Sequence, residues 1–187
     1  MTFTELFVAT VLMGIVLIGI VSVDFAIRRM QKSVSRETLV TMRTSATILD
    51  MAKNAAAMTG DQSNLGFNSN PSLNPDRFCF REDVNSSGVL NNTPGNYGDD
   101  RWICYWQVTT NIYKCNMGSP SNCPPIFILG TAVGGGLSIS FAPDSTAQNS
   151  FVAISITNRF DPAQPKSPPD NPEVTMTTKA SPTLQSF

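Results

Sequence analysis

Residues 1–22 read MTFTELFVATVLMGIVLIGIVS, and they carry one charge, the carboxylate of Glu5. From Leu6 to Ser22 no side chain is ionisable, and the next charge is Asp24. About 20 such residues span the hydrocarbon core of a bilayer as a helix. A carboxylate just inside a run of this kind is costly in lipid and calls for a partner or a purpose. One purpose is local. Thr2-x-x-Glu5 is a capping box, in which hydroxyl and carboxylate satisfy free amides of the first turn, and an acid there complements the helix dipole. That suffices for a surface helix, but a hydrophobic helix would be better off without the charge.

The apolar run does not end in a turn. No glycine or proline occurs between Ile20 and Thr59, and Gly60 then follows NAAAMT. A long stretch without breakers closed by glycine predicts one helix over about residues 2–58. At about 1.5 Å per residue it is roughly 85 Å long, far more than a membrane thickness. Its start, 1–26, is apolar all round. Its second part, 27–59, is amphipathic, with Ile27, Met30, Val34, Thr38, Met42, Leu49, Ala52 and Ala56 recurring at helical spacing. That stripe is the expected cover for a sheet.

All 13 prolines lie at or after Pro71, so the texture changes beyond the helix. Residues 60–101 are rich in Asn, Ser, Gly and Pro, an irregular connection with one strand near RFCFRE. Residues 102–187 hold β-branched and aromatic runs, IYKC, PIFILGTAV, LSISFA and FVAISIT among them. Two-residue alternation in LSISF and VAISIT marks strands with one covered face. The tail from Asp161 is proline-rich, with a last strand at EVTMTT. The expected fold class is α+β: a long N-terminal helix packed against a C-terminal antiparallel β-sheet head with disulfides.

Four cysteines, Cys79, Cys104, Cys115 and Cys123, all follow the apolar segment. An even count beyond a membrane segment reads as two disulfides in an oxidising compartment. Three pairings are possible. The short loop CNMGSPSNC favours Cys115–Cys123, leaving Cys79–Cys104. The spacings contain no CxxC pair, which counts against zinc.

The composition argues against several function classes. Residues 1–58 hold six Lys/Arg against four Asp/Glu, and residues 59–187 seven against ten. Neither part has the basic excess of a protein that neutralises phosphates along nucleic acid. With no histidine, the commonest general base and metal ligand is missing. There is no P-loop, nucleophile elbow or metal-ligand spacing. No enzyme activity, cofactor or metal is expected.

Arg28, Arg29 and Lys32 follow the apolar segment. Were Met1 an ordinary initiator, they would hold the cysteine-bearing part in the cytoplasm. The conflict disappears if a basic leader once preceded residue 1 and was cut away. The pattern MTFTELFVATVLMGI resembles the type IV pilins and pseudopilins, whose basic leader is cut before an N-methylated residue. In that resemblance Met1 is the processed residue, Thr2 and Glu5 stand in their usual places, and Gly14 falls where a glycine is frequent. The likeness covers about the first thirty residues; residues 60–187 carry no such motif.

The resemblance implies a subunit held in the inner membrane, with its head in the periplasm, until machinery extracts it into a helical filament of identical chains. Its partners would be itself, a prepilin peptidase and the assembly machinery, and its final place the cell surface. Glu5 would face the N-terminal amine of Met1 in a neighbour and set the register between subunits. An unpaired charge in a dry core costs several kcal/mol, so one axial register satisfies both groups. Phe3, Leu6, Phe7, Leu12, Ile15 and Ile18 would pack the filament core. Ser22 stands where many filament pilins have proline beside a stretch of helix that loosens on assembly. Gly14 and Gly19, each costing a helix about 1 kcal/mol relative to alanine, would serve instead. A major filament subunit is the leading expectation, and a minor pilin or secretion pseudopilin the alternative.

Three features have local readings. DVNSS marks Asn85, and NNT marks Asn91, as glycosylation acceptors. Asp99 and Asp100, with Asp83, resemble a calcium loop, although adjacent loop acids are more often simply solvated. Trp102, Tyr105 and Trp106 suit strand packing better than ligand stacking.

Overall fold

A computed structural model describes residues 2–60, 66–70, 77–84, 96–117, 127–142, 151–167, 170–182 and 184–185. Met1, Asn85, Asn91 and Cys123 lie outside the described residues. The fold is α+β. Helix α1 runs from Phe3 to Ala56 without interruption, 54 residues, about 80 Å at the usual rise. At its end the Ala57 amide donates to the Lys53 carbonyl at 3.1 Å, and Lys53 itself complements the negative end of the helix dipole.

Among the described residues ten strands follow: β1 (Thr59–Gly60), β2 (Phe67–Asn70), β3 (Arg77–Glu82), β4 (Arg101–Val108), β5 (Asn111–Met117), β6 (Phe127–Thr131), β7 (Leu137–Ala142), β8 (Phe151–Arg159), β9 (Glu173–Ala180) and β10 (Leu184–Gln185). They form a five-stranded sheet in the order β2-β3-β4-β5-β6 and a three-stranded sheet β7-β8-β9, both antiparallel. A short parallel pair, β1 with β10, completes the set. RFCFRE and EVTMTT are strands, as expected. The strand at Phe67–Asn70 lies inside the expected irregular connection, and the single expected sheet is split in two.

Among the described residues of the lower half of α1 none is buried. Burial begins at Val40 and continues through Thr44, Thr47, Ile48, Met51, Asn54 and Ala55, the face that lies on β6, β8 and β9. Val152, Ile154 and Ile156 of β8 alternate toward it and, with Met51, Phe80 and Tyr105, fill the core. This corrects the expected stripe. Ile27, Met30, Val34, Met42 and Leu49 all stand exposed, with only Ala52 and Ala56 packing at the core margin. The covering face is offset from the apolar one because threonines and an asparagine occupy it, Thr44 and Asn54 bonded to the sheets and Thr47 to its own helix. Asn158 Nδ2 donates to Thr44 Oγ1 at 3.3 Å, and Thr47 returns its hydroxyl to the Arg43 carbonyl at 3.0 Å. The helix comes so close to β6 here that a Cβ on Gly130 would lie 2.2 Å from Thr47 Oγ1.

A second, smaller cluster lies on the other face of the five-stranded sheet. Cys79, Cys104 and Cys115 sit side by side across β3, β4 and β5, directly opposite one another in register. They are buried with Trp106, and Trp102 and Tyr113 pack against them. Cys79 and Cys104 form a disulfide, which joins adjacent strands 25 residues apart in sequence. Cys115 is also disulfide-bonded; its expected partner, Cys123, lies outside the described residues. Tyr105 and Trp106 are buried on opposite faces of β4, which accords with their expected packing role.

Candidate assembly helix and its anchorage

The helix start is built as the capping box requires. The Glu5 carboxylate accepts from the Thr2 amide at 2.8 Å, while the Glu5 and Leu6 amides donate to the Thr2 carbonyl at 3.1 and 3.3 Å. This is the local role of Glu5, and it uses one carboxylate oxygen. The register role invokes Met1, which lies outside the described residues.

Every expected core-packing side chain is exposed. Phe3 is 84% accessible, Ile18 71%, and Leu6, Phe7, Leu12 and Ile15 more than half. The run is long and apolar enough to cross a membrane, and none of it is buried within the chain. Gly14 and Gly19 have no steric reason in the isolated subunit, because a Cβ at either would meet nothing within 4 Å. Between them and Asp24, the Ser22 hydroxyl donates to the carbonyls of Ile18 and Gly19 at 2.8 and 2.9 Å. Such back-bonding supplies those carbonyls with a second donor at the point where proline would remove one.

Above the apolar run the helix carries a basic band. Arg28 pairs with Asp24 at 2.8 Å, and Arg36 reaches Asp170 of the head at 3.3 Å. The Arg36 guanidinium also lies 5.1 Å over the Phe160 ring and donates to the Asp170 carbonyl at 2.6 Å. These contacts tie the middle of the helix to the lowest loop of the head.

Higher up, a polar clamp holds the helix to β4 and β5. Asp50 on α1 accepts from Lys114 Nζ at 2.9 and 2.8 Å and from the Tyr105 hydroxyl at 2.9 Å. Asn54, one turn on, bonds the same hydroxyl. Burial, reinforced by the neighbouring Asp50 charge, pushes the Tyr105 phenol well above its ordinary range. It therefore remains a hydrogen-bond donor at any physiological pH. Sequence reasoning missed this clamp. Its one signal was Asp50 and Asn54, four residues apart in a stretch where a covering helix should be apolar.

The acidic loop has a different partner from the one its sequence suggested. Among the described residues no group of three acids, cysteines or histidines is placed to hold a metal ion. Asp100 is buried against Arg81, Oδ2 to Nε 3.5 Å, and among the described residues its Oδ1 has no hydrogen-bond partner. Burial raises the Asp100 carboxyl to about 6, against the pull of Arg81 and with smaller pushes from Asp83 and Asp99. Arg81 is sandwiched over the Tyr97 and Trp102 rings at 3.9 and 5.5 Å and donates to the Thr59 carbonyl at 3.3 Å. The loop thus locks the end of the helix connection to the five-stranded sheet.

No protein-family model, curated protein or solved structure matches the chain.

Proposed function

We propose that this chain is a structural subunit, the major pilin, of a type IV pilus or related extracellular filament, held in the inner membrane before assembly. The observation that carries the reading is the unpartnered half of α1. A largely apolar stretch, Phe3 to Val23, projects from a folded head, and among the described residues nothing covers it. Exposing that much apolar surface to water would cost about 25 cal/mol for each Å². Lipid covers it in the precursor, and the helices of other copies cover it in the filament.

Three details support protein as the final cover. Glu5 is tolerable in a dry core if a neighbour's N-terminal amine meets the carboxylate. Gly14 and Gly19 weaken the helix by about 1 kcal/mol each without relieving any contact in the subunit, so their use falls to bending or close approach between subunits. The clamp at Asp50 and Tyr105 fixes the helix to the head, so force applied to one moves both. On this reading a prepilin peptidase exposes and methylates Met1, and the assembly machinery lifts the subunit out of the membrane.

The test is Glu5→Ala expressed without wild-type subunits. The variant should remain membrane-bound with a normally folded head, yet enter sheared filaments poorly. Filament yield equal to wild type would remove the register role. The alternative, a minor pilin or secretion pseudopilin, is separated by stoichiometry: intact-mass spectrometry of sheared filaments should find this chain as the dominant component.

A further inference from the structure

Between the middle of α1 and the lowest loop of the head lies a groove of about 900 Å³, lined by Phe25, Arg28, Arg29, Lys32, Arg36 and Phe160, with Asp170 at its edge. Its charge is unbalanced. Arg28 is taken by Asp24 and Arg36 by Asp170, whereas Arg29 and Lys32 have no ion-pair partner among the described residues. Two positive charges therefore face a cleft walled by two phenyl rings.

The height of the groove identifies its occupant. Phe3 to Val23 at about 1.5 Å per residue make roughly 30 Å, the thickness of the hydrocarbon core. Arg28 to Lys32 begin about 8 Å beyond that end, and helical side chains lean toward the N-terminus, here toward the membrane. Long basic chains rooted there reach back into the headgroup layer. Phe25 falls between the apolar run and these basic residues, on the wall of the same groove.

The geometry points to a binding site for the phosphodiester of an anionic phospholipid, held by Arg29 and Lys32 under the roof of Phe160. The site rests on the membrane-held precursor proposed above. It would seat the subunit at a fixed depth, and extraction into a filament would strip the lipid away.

The experiment uses the full chain in nanodiscs of equal parts phosphatidylcholine and phosphatidylglycerol, with native mass spectrometry of the lipids that remain bound on release. Wild type should retain phosphatidylglycerol with severalfold enrichment over the bilayer ratio. Arg29→Gln with Lys32→Gln should return the ratio to that of the bilayer. Both proteins should float equally with vesicles of either lipid, and both heads should keep the Cys79–Cys104 disulfide. No enrichment, or enrichment unchanged by the substitutions, overturns the headgroup site while flotation leaves the membrane reading standing. Release as dimers that the double variant loses, without bound lipid, makes the groove a contact between copies and overturns the lipid assignment. Failure of the wild type to float removes the membrane reading, and the site with it.

Discussion

Helix α1 is one continuous element with two opposite kinds of surface. From Val40 to Ala55 one face is buried, partly through Thr44, Thr47 and Asn54. From Phe3 to Val23 the side chains are almost all apolar, and none is buried. The half seated on the head uses polar residues to fix one position, Thr44 against Asn158 and Asn54 against Tyr105. The other half uses hydrocarbon, which fits lipid and protein alike and binds neither in a set register. On the proposed filament reading, Glu5 would restore direction there.

The comparison can first be sharpened by breaking the head alone. Replacing Cys79 and Cys104 together by serine removes a cross-link between strands 25 residues apart in sequence. The expected loss is about 3 kcal/mol of head stability, read as a lower thermal midpoint in detergent. Membrane insertion of the apolar half should not change. A parallel loss of insertion would show that the two halves are not independent.

Glycines test the same contrast with a single methyl group. Gly130→Ala sets a Cβ against Thr47 and should destabilise the head by about 1–3 kcal/mol through overpacking. Thr47→Ala in the same chain should recover part of that loss. Gly14→Ala and Gly19→Ala meet nothing and should leave head unfolding unchanged. On the proposed filament reading their effect should appear in filament yield or stiffness, where bending and helix-to-helix approach matter. Unaltered filaments from the double alanine variant would leave those glycines without a function.

Much of this is legible in the sequence alone. The helix ends are marked by the absence of breakers and by Gly60, and the alternating strands by their two-residue period. The Cys79–Cys104 pair follows from the short loop assigned to the other two cysteines. The buried face of the helix is misjudged when it is sought among apolar residues. Thr44, Thr47 and Asn54 belong to it for reasons of hydrogen bonding, and their partners lie as far away as Tyr105 and Asn158. No local periodicity carries such information. The Asp100–Arg81 pair is hidden in the same way, its two members coming from a loop and the next strand over. For the apolar half the reverse holds: Glu5 and the apolar run are plain in sequence, and the fold adds that among the described residues nothing covers them.

Acidity perturbs the head through a single carboxyl group. The Asp100 carboxyl titrates at about 6 in the folded head, against an ordinary value of 3.8. Between these values the folded state keeps a proton that the unfolded chain has lost. Head stability should therefore fall as pH rises through about 4 to 6, by at most about 1.4 kcal/mol per pH unit, and stay at the lower level above. Asp100→Asn should flatten that slope. The opposite trend belongs to Glu173, whose carboxyl the Arg159 hydrogen bond at 2.7 Å holds below its ordinary value. Its contribution is present above the unfolded value and fades only as the medium becomes more acid than that. A wild-type slope that survives in the Asn variant would mean that Asp100 is not the group responsible.

The smallest expected effect concerns the turn between β4 and β5. Thr109 adopts a φ of 53°, a region that a β-branched side chain enters at a cost. The turn is held from outside: Gln107 donates through Nε2 to the carbonyls of Thr109 and Val133 at 2.8 and 2.5 Å. It also accepts from the Leu137 amide at 3.0 Å. One glutamine side chain thus ties the hairpin tip to the passage from the five-stranded to the three-stranded sheet, and the tie sustains the strain. Thr109→Gly should relieve it and stabilise the head by about 1 kcal/mol, read as a higher thermal midpoint. Gln107→Ala should lower that midpoint and make the glycine substitution neutral, because a released tip would no longer hold a positive φ. If the two changes proved additive instead, the glutamine and the strained turn would be independent features, and the strain at Thr109 would need another support.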